Sequence, residues 1–410
     1  MSRYAMPFCG ILVAATLGFG YTRTDKPEGW ASQSGGTTGG TGGTEVTVSS
    51  MADLQAQAKS SGKKIIIVNK GTYTGTVTLA SDKTILGKEP GVVIKGNIKI
   101  SAVSNVILRN LAVQGNHCST YEECKGGDDA VNINNEAHHI WLDHMNISDG
   151  QDGNCDISNG SDYVTITWSK FWYSYDKEHR FSNLIAGADN VAVDKDKLRI
   201  TYAYNWWADR VMQRQPRGRA GKVHVVNNLY TSTAADYACG PGVDIQMLIE
   251  NNVFKNSGYA IEKFDGTPAP AWKSVGNIGS AKDISTSQGT VFTPPYSLSE
   301  KMAASEVESK VKPVAGNTLT LGTSDIYKAA GIGRNPEAPY VAASRNGWQL
   351  NNPGESALWF HVVDLSGKAY VLNAAVGSRG SFELPAAASA LVIQFIGTDR
   401  AKDIYLPFSK

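Results

Sequence analysis

The strongest constraint on the fold is one type of short segment that recurs along the middle of the chain. Six such segments each present a run of β-branched or aromatic residues, often followed by Asn or Asp: SNVILRNLAV, HHIWLDHMNI, DYVTITWSKF, KLRITYAYNW, GKVHVVNNLY and IQMLIENNVF. They return roughly every 24 to 34 residues, and self-similarity at such a period is typical of solenoids. Each segment therefore predicts one coil of a stacked structure.

The connections between these segments distinguish a solenoid from a β-sandwich, which would also contain many short strands. A sandwich would show hairpin turns such as Asn-Gly between paired strands, whereas here loops of unequal length join similar strands. Asn pairs recur at matching places, Asn227 with Asn228 and Asn251 with Asn252, and stacked Asn side chains can form a hydrogen-bonded ladder. We therefore predict an all-β fold, a right-handed single-stranded parallel β-helix, with its variable loops gathered along one cleft.

The two ends of the chain differ from this repeat. Arg3 and the apolar run GILVAATLGFG predict a secretory signal peptide over residues 1–22, and its apolar part is too short to span a bilayer. The β-helix is assigned to residues 23–335, and residues 336–410 alternate like the strands of a small C-terminal β module. Strands that merely cap the last coil are the alternative. The protein is thus expected to be secreted and extracellular, with no part in a membrane.

The number of cysteines suggests disulfide bonds if the protein is secreted. Four remain after the leader, Cys118, Cys124, Cys155 and Cys239, and an even count in an oxidising compartment suggests two disulfides with three connectivities. One arrangement joins Cys118 to Cys124 across a short loop and Cys155 to Cys239 across a long one. Four buried free thiols are the alternative.

The charge balance limits the class of partner. The formal net charge is +1 and charged residues make up 19% of the chain, so no nucleic-acid partner is indicated. An anionic ligand would have to be held by a local basic cluster, because the whole molecule provides no attracting field. Nothing in the sequence suggests more than a monomer.

Acidic residues gather in segments of two neighbouring repeats. KGGDDAVNIN contributes Asp128 and Asp129, and DGQDGNCD contributes Asp149, Asp152 and Asp156. If the stretch QDGNCDISNG is a strand, Asp152 and Asp156 share one face of it. Carboxylates gathered without an intervening Lys or Arg repel one another, and a bound hard cation such as Ca²⁺ relieves that repulsion. Solvated turn carboxylates are the alternative.

Basic residues form a second cluster, just before a repeat strand. Pro216 and Gly218 prevent a helix there, so the guanidinium groups extend from a loop. Guanidinium groups suit carboxylates in two-pronged geometry, although solvated surface arginines are the alternative. The cluster lies in DRVMQRQPRGRAGKVHV and comprises Arg210, Arg214, Arg217, Arg219 and Lys222. A basic loop beside an acidic, cation-binding cluster favours an anionic ligand shared by both.

Lys177 and an aromatic run complete the candidates. Lys177 lies in WYSYDKEHRF, and the run YAYNWW ends in Trp206 and Trp207. Aromatic rings stack on sugar faces but fill the interior of a β-helix equally well, so we expect at least one of the two tryptophans in the core. No Ser lies in a nucleophile-elbow motif, which leaves serine hydrolysis unsupported.

Three of these segments together resemble the pectate lyase family of extracellular parallel β-helix enzymes. HIWLDH at 139–144 is similar to a strand motif of the family that ends in Asp-His. DGNCDISNGSDYVTITW is similar to its calcium-site segment, and RQPRGRAGKVHVVNNLY to its catalytic loop and following coil. The resemblance covers roughly residues 30–330 and leaves the C-terminal part outside it.

The resemblance implies roles for individual residues. By position it implies a Ca²⁺ ion bound by Asp129, Asp152 and Asp156. It likewise implies Arg214 as the catalytic base, with Lys177 and Arg219 binding carboxylates of the substrate. We add Arg217 of the same loop to the substrate-binding set. Some members carry a further acid where this chain has Gly127; Asp128 could substitute for it, so the number of calcium ions stays open.

The implied reaction is calcium-dependent cleavage of polygalacturonate (pectate) by β-elimination. Calcium, Lys177 and Arg219 would neutralise the C6 carboxylate of a galacturonate, and Arg214 would remove the neighbouring C5 proton. Bond cleavage at O4 would then leave an unsaturated sugar end. Because the reference pKa of Arg lies above 12, an alkaline optimum is expected.

Three other functions are compatible with such a solenoid. A pectin lyase would act on methyl-esterified chains and would need no acidic cluster. A polygalacturonase would use carboxylates to activate water, which would leave Arg214 without a role. A non-catalytic polysaccharide-binding solenoid would need only a surface patch.

Overall fold

The computed structural model describes residues 19–21, 25–255 and 258–322, and seven further strands between residues 340 and 406. The chain forms two compact units, residues 1–323 and 324–410. The predicted signal peptide falls mostly outside the described residues, as does the predicted domain boundary near residue 335. Both stay predictions.

Helices are few, and strands make up most of the first unit. The helices are α1 (Met51–Lys59), α2 (Tyr121–Lys125) and α3 (Ala304–Val311), with short 3-10 turns at Gly29–Ser32 and Ala192–Asp194. The strands are β1 (Phe19–Tyr21), β2 (Thr44–Val48), β3 (Lys64–Val68), β4 (Gly71–Thr78), β5 (Lys83–Gly87), β6 (Val92–Ser101), β7 (Ser104–Arg109), β8 (Ala112–Gln114), β9 (Val131–Asn134), β10 (His138–Asp143), β11 (Asn146–Ser148), β12 (Cys155–Ile157), β13 (Asp162–Thr167), β14 (Lys170–Trp172), β15 (Leu184–Ile185), β16 (Arg199–Ala203), β17 (Trp206–Trp207), β18 (Arg217–Val226), β19 (Leu229–Tyr230), β20 (Tyr237–Glu250), β21 (Val253–Phe254), β22 (Tyr259–Ile261), β23 (Ala271–Val275), β24 (Ile278–Gly279) and β25 (Leu319–Leu321).

Strands β2–β24 form one continuous parallel arrangement in which each strand pairs with its counterparts on neighbouring coils. Equivalent apolar residues stack in register from coil to coil, as in the series Val106, Ile140, Val164, Ile200 and Val223. All five side chains are buried. This is the parallel β-helix predicted from the repeats, so the predicted fold class is confirmed.

The coils present three sheets, which we number for reference. Sheet 1 contains β9, β12, β15, the start of β18, part of β20 and β22. Sheet 2 contains β7, β10, β13 and β16, and continues into the end of β18. Sheet 3 contains β8, β11, β14, β17, β19, β21 and β24. The long strands β18 and β20 belong to both sheet 1 and sheet 2 and connect them without a break.

An aromatic stack fills the core behind sheet 3. Its ring centroids are 5.2, 5.0 and 4.4 Å apart in the order Phe171, Trp207, Tyr230 and Phe254. Such pairs add about 0.5–1.5 kcal/mol each beyond the burial of their area. Trp207 is fully buried, which confirms a core role for one of the two tryptophans, whereas Trp206 lies half-buried on the outer face.

An asparagine ladder fixes the corner between sheets 2 and 3. Side-chain amides donate to the next side-chain oxygen at 3.1, 3.0 and 2.9 Å along Asn205, Asn228, Asn252 and Asn277. The predicted ladder is therefore confirmed for Asn228 and Asn252. Asn227 has a different role, because its amide donates to the carbonyl oxygen of Met302, in the segment that leads to α3.

Only one of the two expected disulfides is found among the described residues. Cys118 and Cys124 are joined, whereas Cys155 and Cys239 are free and buried, so the expected long-range bridge is wrong. Both free cysteines lie on the inward side of sheet 1, with the coils of β15 and β18 between them. Three coil spacings amount to about 14 Å, well beyond the reach of a disulfide.

The second unit is described through its strands alone. They are β26 (Tyr340–Ser344), β27 (Gly347–Asn352), β28 (Leu358–Asp364), β29 (Ala369–Val376), β30 (Gly380–Glu383), β31 (Leu391–Phe395) and β32 (Ile404–Leu406). All their pairings are antiparallel, in one sheet ordered β26-β27-β30 and another ordered β29-β28-β31-β32. The C-terminal region is therefore β-rich, as predicted. Within the described parts of the chain, no helix has the length and apolar character needed to cross a membrane.

Candidate active site

Three carboxylates meet on the outer side of sheet 1. One oxygen from each of Asp129, Asp152 and Asp156 lies within 4.8 Å of the others. Asp129 comes just before β9 and Asp156 is the central residue of β12, and these two strands are neighbours in the sheet. The structure thus brings together the three acids that were predicted to bind a metal ion.

Strand alternation and a loop both contribute to this arrangement. Cys155 and Ile157 of β12 point into the core, so Asp156 points outward, and its Oδ1 accepts a hydrogen bond from the Leu184 backbone N–H at 2.8 Å. Asp152 lies in the loop before β12. The expectation that it shares a strand face with Asp156 is therefore wrong, because β12 begins only at Cys155 and the loop carries Asp152 to the cluster.

Burial and mutual repulsion make this cluster unstable as three free anions. Burial, followed by the charge of Asp156, raises the pKa of Asp129 well above its usual value. Burial also raises the pKa of Asp156 to about 7, against the opposing influence of Arg214. Asp129 Oδ2 accepts a hydrogen bond from the Asn132 amide at 2.7 Å, but its buried Oδ1 has no partner. An unpartnered buried carboxylate oxygen beside two further carboxylates fits a hard cation such as Ca²⁺.

The absence of a side chain at Gly153 leaves room for this cluster. A Cβ atom at that position would lie 2.6 Å from Asp156 Oδ1 and 3.0 Å from Asp129 Oδ1. Both distances are shorter than ordinary contacts. Glycine is therefore required here for close approach of the two acids, and not for an unusual backbone angle.

Asp128 does not join the three acids. Its Oδ1 lies 3.1 Å from Lys99 Nζ, and both side chains are about half exposed. Among the described residues, the cluster of acids close enough to share an ion contains Asp129, Asp152 and Asp156 only. The substitution of Asp128 for the acid missing at Gly127 therefore finds no support in the geometry.

Arg214 lies beside the acids in a strained backbone conformation. Its φ of 61° is left-handed, which costs a non-glycine residue about 1–2 kcal/mol, and its carbonyl oxygen accepts a hydrogen bond from Asn183 N–H at 2.7 Å. The guanidinium carbon lies 4.7 Å from the centroid of the Phe181 ring, and the buried Nε has no partner. Such strain often accompanies a functional position, and here it directs the side chain towards Asp156, whose pKa it lowers.

Two further arginines of the same loop flank Arg214. Arg217 stacks on Phe264 at 3.9 Å, and burial lowers its pKa, with smaller contributions from Arg219 and Arg214. Arg219 donates to the exposed Asp189 carboxylate at 2.5 Å and to the Ala186 carbonyl at 2.9 Å. The cations are thus close enough to repel one another, and the Arg219 side chain is only 15% exposed.

Lys177 is more deeply buried than a simple substrate contact would require. Its Nζ donates to the carbonyl oxygens of Gly150 and Gln151 at 2.6 and 2.9 Å, and lies 3.4 Å from Cys118 Sγ. Burial lowers the pKa of Lys177 to about 8. The ammonium group therefore fastens the loop that carries Asp152, and only the weak sulfur acceptor could readily be exchanged for a ligand oxygen.

Sequence reasoning missed three residues that support the cluster. Asn132 holds Asp129 by a hydrogen bond, and Gly153 leaves room for the acids. His179 lies with Nε2 2.8 Å from Asp152 Oδ1, at ion-pair distance but without hydrogen-bond alignment. Alternation in VNIN could have placed Asn132 on the outward face, whereas no local signal pointed to His179.

Comparison with known proteins decides the family. The sequence profile of the family described as pectate lyase matches residues 8–319. The chain belongs to the pectate lyase family. A pectate lyase of Emericella nidulans is 32% identical over 306 residues, covering 72% of this chain and 89% of the relative. A probable pectate lyase of Aspergillus fumigatus is 34% identical over 306 residues, with the same coverage. The resemblance inferred from the three segments is thereby confirmed.

A solved pectate lyase extends this result to three dimensions. The enzyme from a Bacillus species, crystallised with trigalacturonate, is 26% identical and superposes with a TM-score of 0.60. The match covers 71% of this chain and 99% of that protein. The protein is therefore an enzyme of the polysaccharide lyase class built on the parallel β-helix.

Proposed function

We propose that the protein is a calcium-dependent pectate lyase that cleaves α-1,4-linked polygalacturonate by β-elimination, with Arg214 as the base. The observation that carries this proposal is the meeting of Asp129, Asp152 and Asp156 within 4.8 Å on the side of the β-helix where Arg214 lies. Trigalacturonate, the ligand of the Bacillus relative, belongs to the same substrate class. The products would be 4,5-unsaturated oligogalacturonates.

The acids would hold the ion, and the cations would hold the substrate. Asp129, Asp152 and Asp156 supply hard oxygen donors of the type that calcium prefers. A bound Ca²⁺ supplies positive charge that stabilises the carboxylate and the enolate-like charge developing beside it. Arg219 and Arg217 would pair with carboxylates of the bound polygalacturonate. Lys177 keeps the Asp152 loop in place.

Arg214 would carry out the proton transfer. Its Nε is buried without a hydrogen-bond partner and its guanidinium group lies on the Phe181 ring, so packing holds the group beside the acids. Arg214 takes the C5 proton, the C–H electrons form the C4–C5 double bond, and the C4–O4 bond breaks with its electron pair on O4, which takes a proton from water. An alkaline optimum follows, because a base with a high reference pKa is neutral more often at high pH.

The test follows the ultraviolet absorbance of the unsaturated product on polygalacturonate, with and without a chelator. We expect product formation that falls at least tenfold on chelation and returns with excess calcium. A pectin lyase would prefer methyl-esterified pectin and ignore the chelator. A polygalacturonase would release reducing ends without absorbance, and a binding protein would release neither. Any of these three results would contradict the proposal.

Gly153→Ala should weaken calcium binding by about tenfold or more, because overpacking of this kind costs about 1–3 kcal/mol. The new methyl group would press on the carboxylates of Asp156 and Asp129. Titration calorimetry with calcium measures the loss. Gly187→Ala is a matched control, since a Cβ there meets no atom within 4 Å. Equal calcium affinities for the two variants would refute the tight-fit interpretation.

Substrate affinity should depend on pH through Lys177, because its ammonium group holds the loop that carries Asp152, and calcium bound by that loop would bind the substrate. The pKa of this group is lowered to about 8, chiefly by burial, so its positive charge is present below pH 8 and is lost as the pH rises further. The KM for polygalacturonate should therefore increase between pH 8 and 10. In Lys177→Met the KM should be higher throughout and show no such increase. The same rise in the variant would assign the effect to another group.

A further inference from the structure

The outward face of sheet 1 presents one position per coil in a single row. The ends of β4 and β6 continue sheet 1 beyond β9. Register pairs and strand alternation define the row as Thr78, Lys99, Asn132, Asp156, Leu184, Arg217, Gly240 and Glu262. Neighbouring positions are about 4.8 Å apart, because that is the spacing of hydrogen-bonded strands. The row runs through the acid cluster and the arginine loop, and therefore follows the line along which an extended polysaccharide would lie.

Lys99 is the charged residue of the row on the β6 coil, with uncharged Thr78 beside it on the preceding coil, and its side chain is partly exposed. Ile98 and Ile100 on either side of it are fully buried in the core, so alternation turns Lys99 outward. Its Nζ contacts Asp128 at 3.1 Å, and the two side chains are 44% and 53% exposed. An exposed ion pair of this kind contributes little free energy. Lys99 can therefore exchange Asp128 for the carboxylate of a ligand at small cost.

The row carries cations on both sides of Asp156. Arg217 lies two coils from Asp156 in one direction, as Lys99 does in the other. Glu262 lies beyond Arg217 and Gly240, and its pKa is raised by burial and then by the nearby Asp236. A polymer with one carboxylate per sugar is therefore attracted at Lys99 and Arg217 and repelled at Glu262.

We infer that Lys99 forms a further carboxylate-binding subsite, which takes a galacturonate of the same chain two coils away from Asp156. This inference rests on the proposed pectate lyase function. The subsite lies roughly 10 Å from Asp156 along the row, so it is reached only by a substrate long enough to extend over Asn132. It strengthens binding of long chains and leaves the chemical step unchanged.

The test compares Lys99→Ala with Lys95→Ala at saturating calcium. Lys95 lies on the same strand β6, but in the part that pairs with β8 of sheet 3. Its substitution therefore removes the same charge from a position outside the row. We expect Lys99→Ala to raise the KM for hexagalacturonate about three- to tenfold with kcat changed less than twofold. For digalacturonate, which is too short to span the distance from Asp156 to Lys99, the inhibition constant should change less than twofold. Lys95→Ala should match the wild type on both.

Asp128→Asn distinguishes two roles of Lys99, binding of substrate and anchoring of the loop before β9 through the ion pair with Asp128. If Lys99 binds substrate, freeing it from Asp128 should leave the KM for hexagalacturonate unchanged or lower it. If the ion pair only holds the loop before β9, Asp128→Asn and Lys99→Ala should raise KM equally and at every chain length, and the inference is overturned. A wild-type protein that forms no unsaturated product would refute the proposed function. An active wild type with Lys99→Ala indistinguishable from Lys95→Ala would refute the subsite alone.

Discussion

Arg214→Lys should lower kcat on polygalacturonate by about a thousandfold, because a positioned general base contributes roughly 10²–10⁴ to the rate. Lysine keeps the positive charge beside Asp156 but loses the planar fork and the reach of the guanidinium group. Calcium affinity should therefore change little while turnover is lost. The measurement is the initial rate of absorbance increase at saturating substrate, over a range of alkaline pH.

Arg210→Lys is the matched control for this prediction. Arg210 belongs to the same loop but is 44% exposed on its side chain and pairs with Asp176 at 3.5 Å. We expect its substitution to leave kcat within about twofold, as is usual for exposed ion pairs. If Arg214→Lys kept more than a tenth of the wild-type rate, or if the wild-type optimum lay below neutrality, the base would have to be another group.

Asp156→Asn should reduce calcium affinity and activity by about two orders of magnitude or more. The substitution removes a charged ligand from the centre of the cluster, but the amide oxygen can still accept the hydrogen bond from Leu184 N–H. Structure around β12 should therefore persist. Calorimetry measures the affinity and product absorbance measures the rate, and Asp128→Asn, outside the cluster, should leave calcium affinity nearly unchanged.

The same substitution should have the opposite effect on stability without calcium. The folded-state pKa of Asp156, about 7, is above the unfolded value near 4, so folding takes up a proton between these two pH values. The free energy of unfolding of the ion-free wild type should consequently fall as the pH rises from about 4 to 8. At pH 8 the ion-free variant should be more stable than the wild type, by up to about 4 kcal/mol. Added calcium should reverse the order, and denaturant unfolding at pH 5 and 8 measures both effects.

The fold could be predicted from the sequence because its strongest signals repeat. A single short apolar strand does not identify a fold, but six similar segments, several with Asn at the same corner, indicate a stack. The ladder through Asn228 and Asn252 follows from that stack. The second disulfide could not be predicted in the same way. Its feasibility depends on the number of coils between Cys155 and Cys239, and composition does not contain that number.

The charged residues of the candidate site could be named from the sequence. The residues and loops that hold them in place were harder to predict. Charge clustering singled out two wider groups of acids and basic residues, because like charges close together require an explanation. The resemblance to the family selected the three acids and Arg214 from those groups. The placement of Asp152 by a loop, the burial of Lys177 and the proximity of His179 depend on how irregular segments fold over sheet 1. Such segments have no repeating pattern, so strand alternation cannot predict where their side chains lie.

The stacked geometry makes the spacing of the catalytic groups discrete. Turns between strands can gain or lose residues without moving Asp156 of β12 relative to Arg217 at the start of β18, because these two strands are separated by a fixed number of rungs. Arg214 lies three residues before Arg217, and its carbonyl oxygen accepts a hydrogen bond from Asn183 N–H of the intervening coil. Removing that entire rung would displace Arg214 by about 4.8 Å relative to Asp156 and leave every remaining rung well packed. The loops over sheet 1 can therefore change residue by residue, whereas groups fixed to the rungs, such as Asp156, can move only in whole steps.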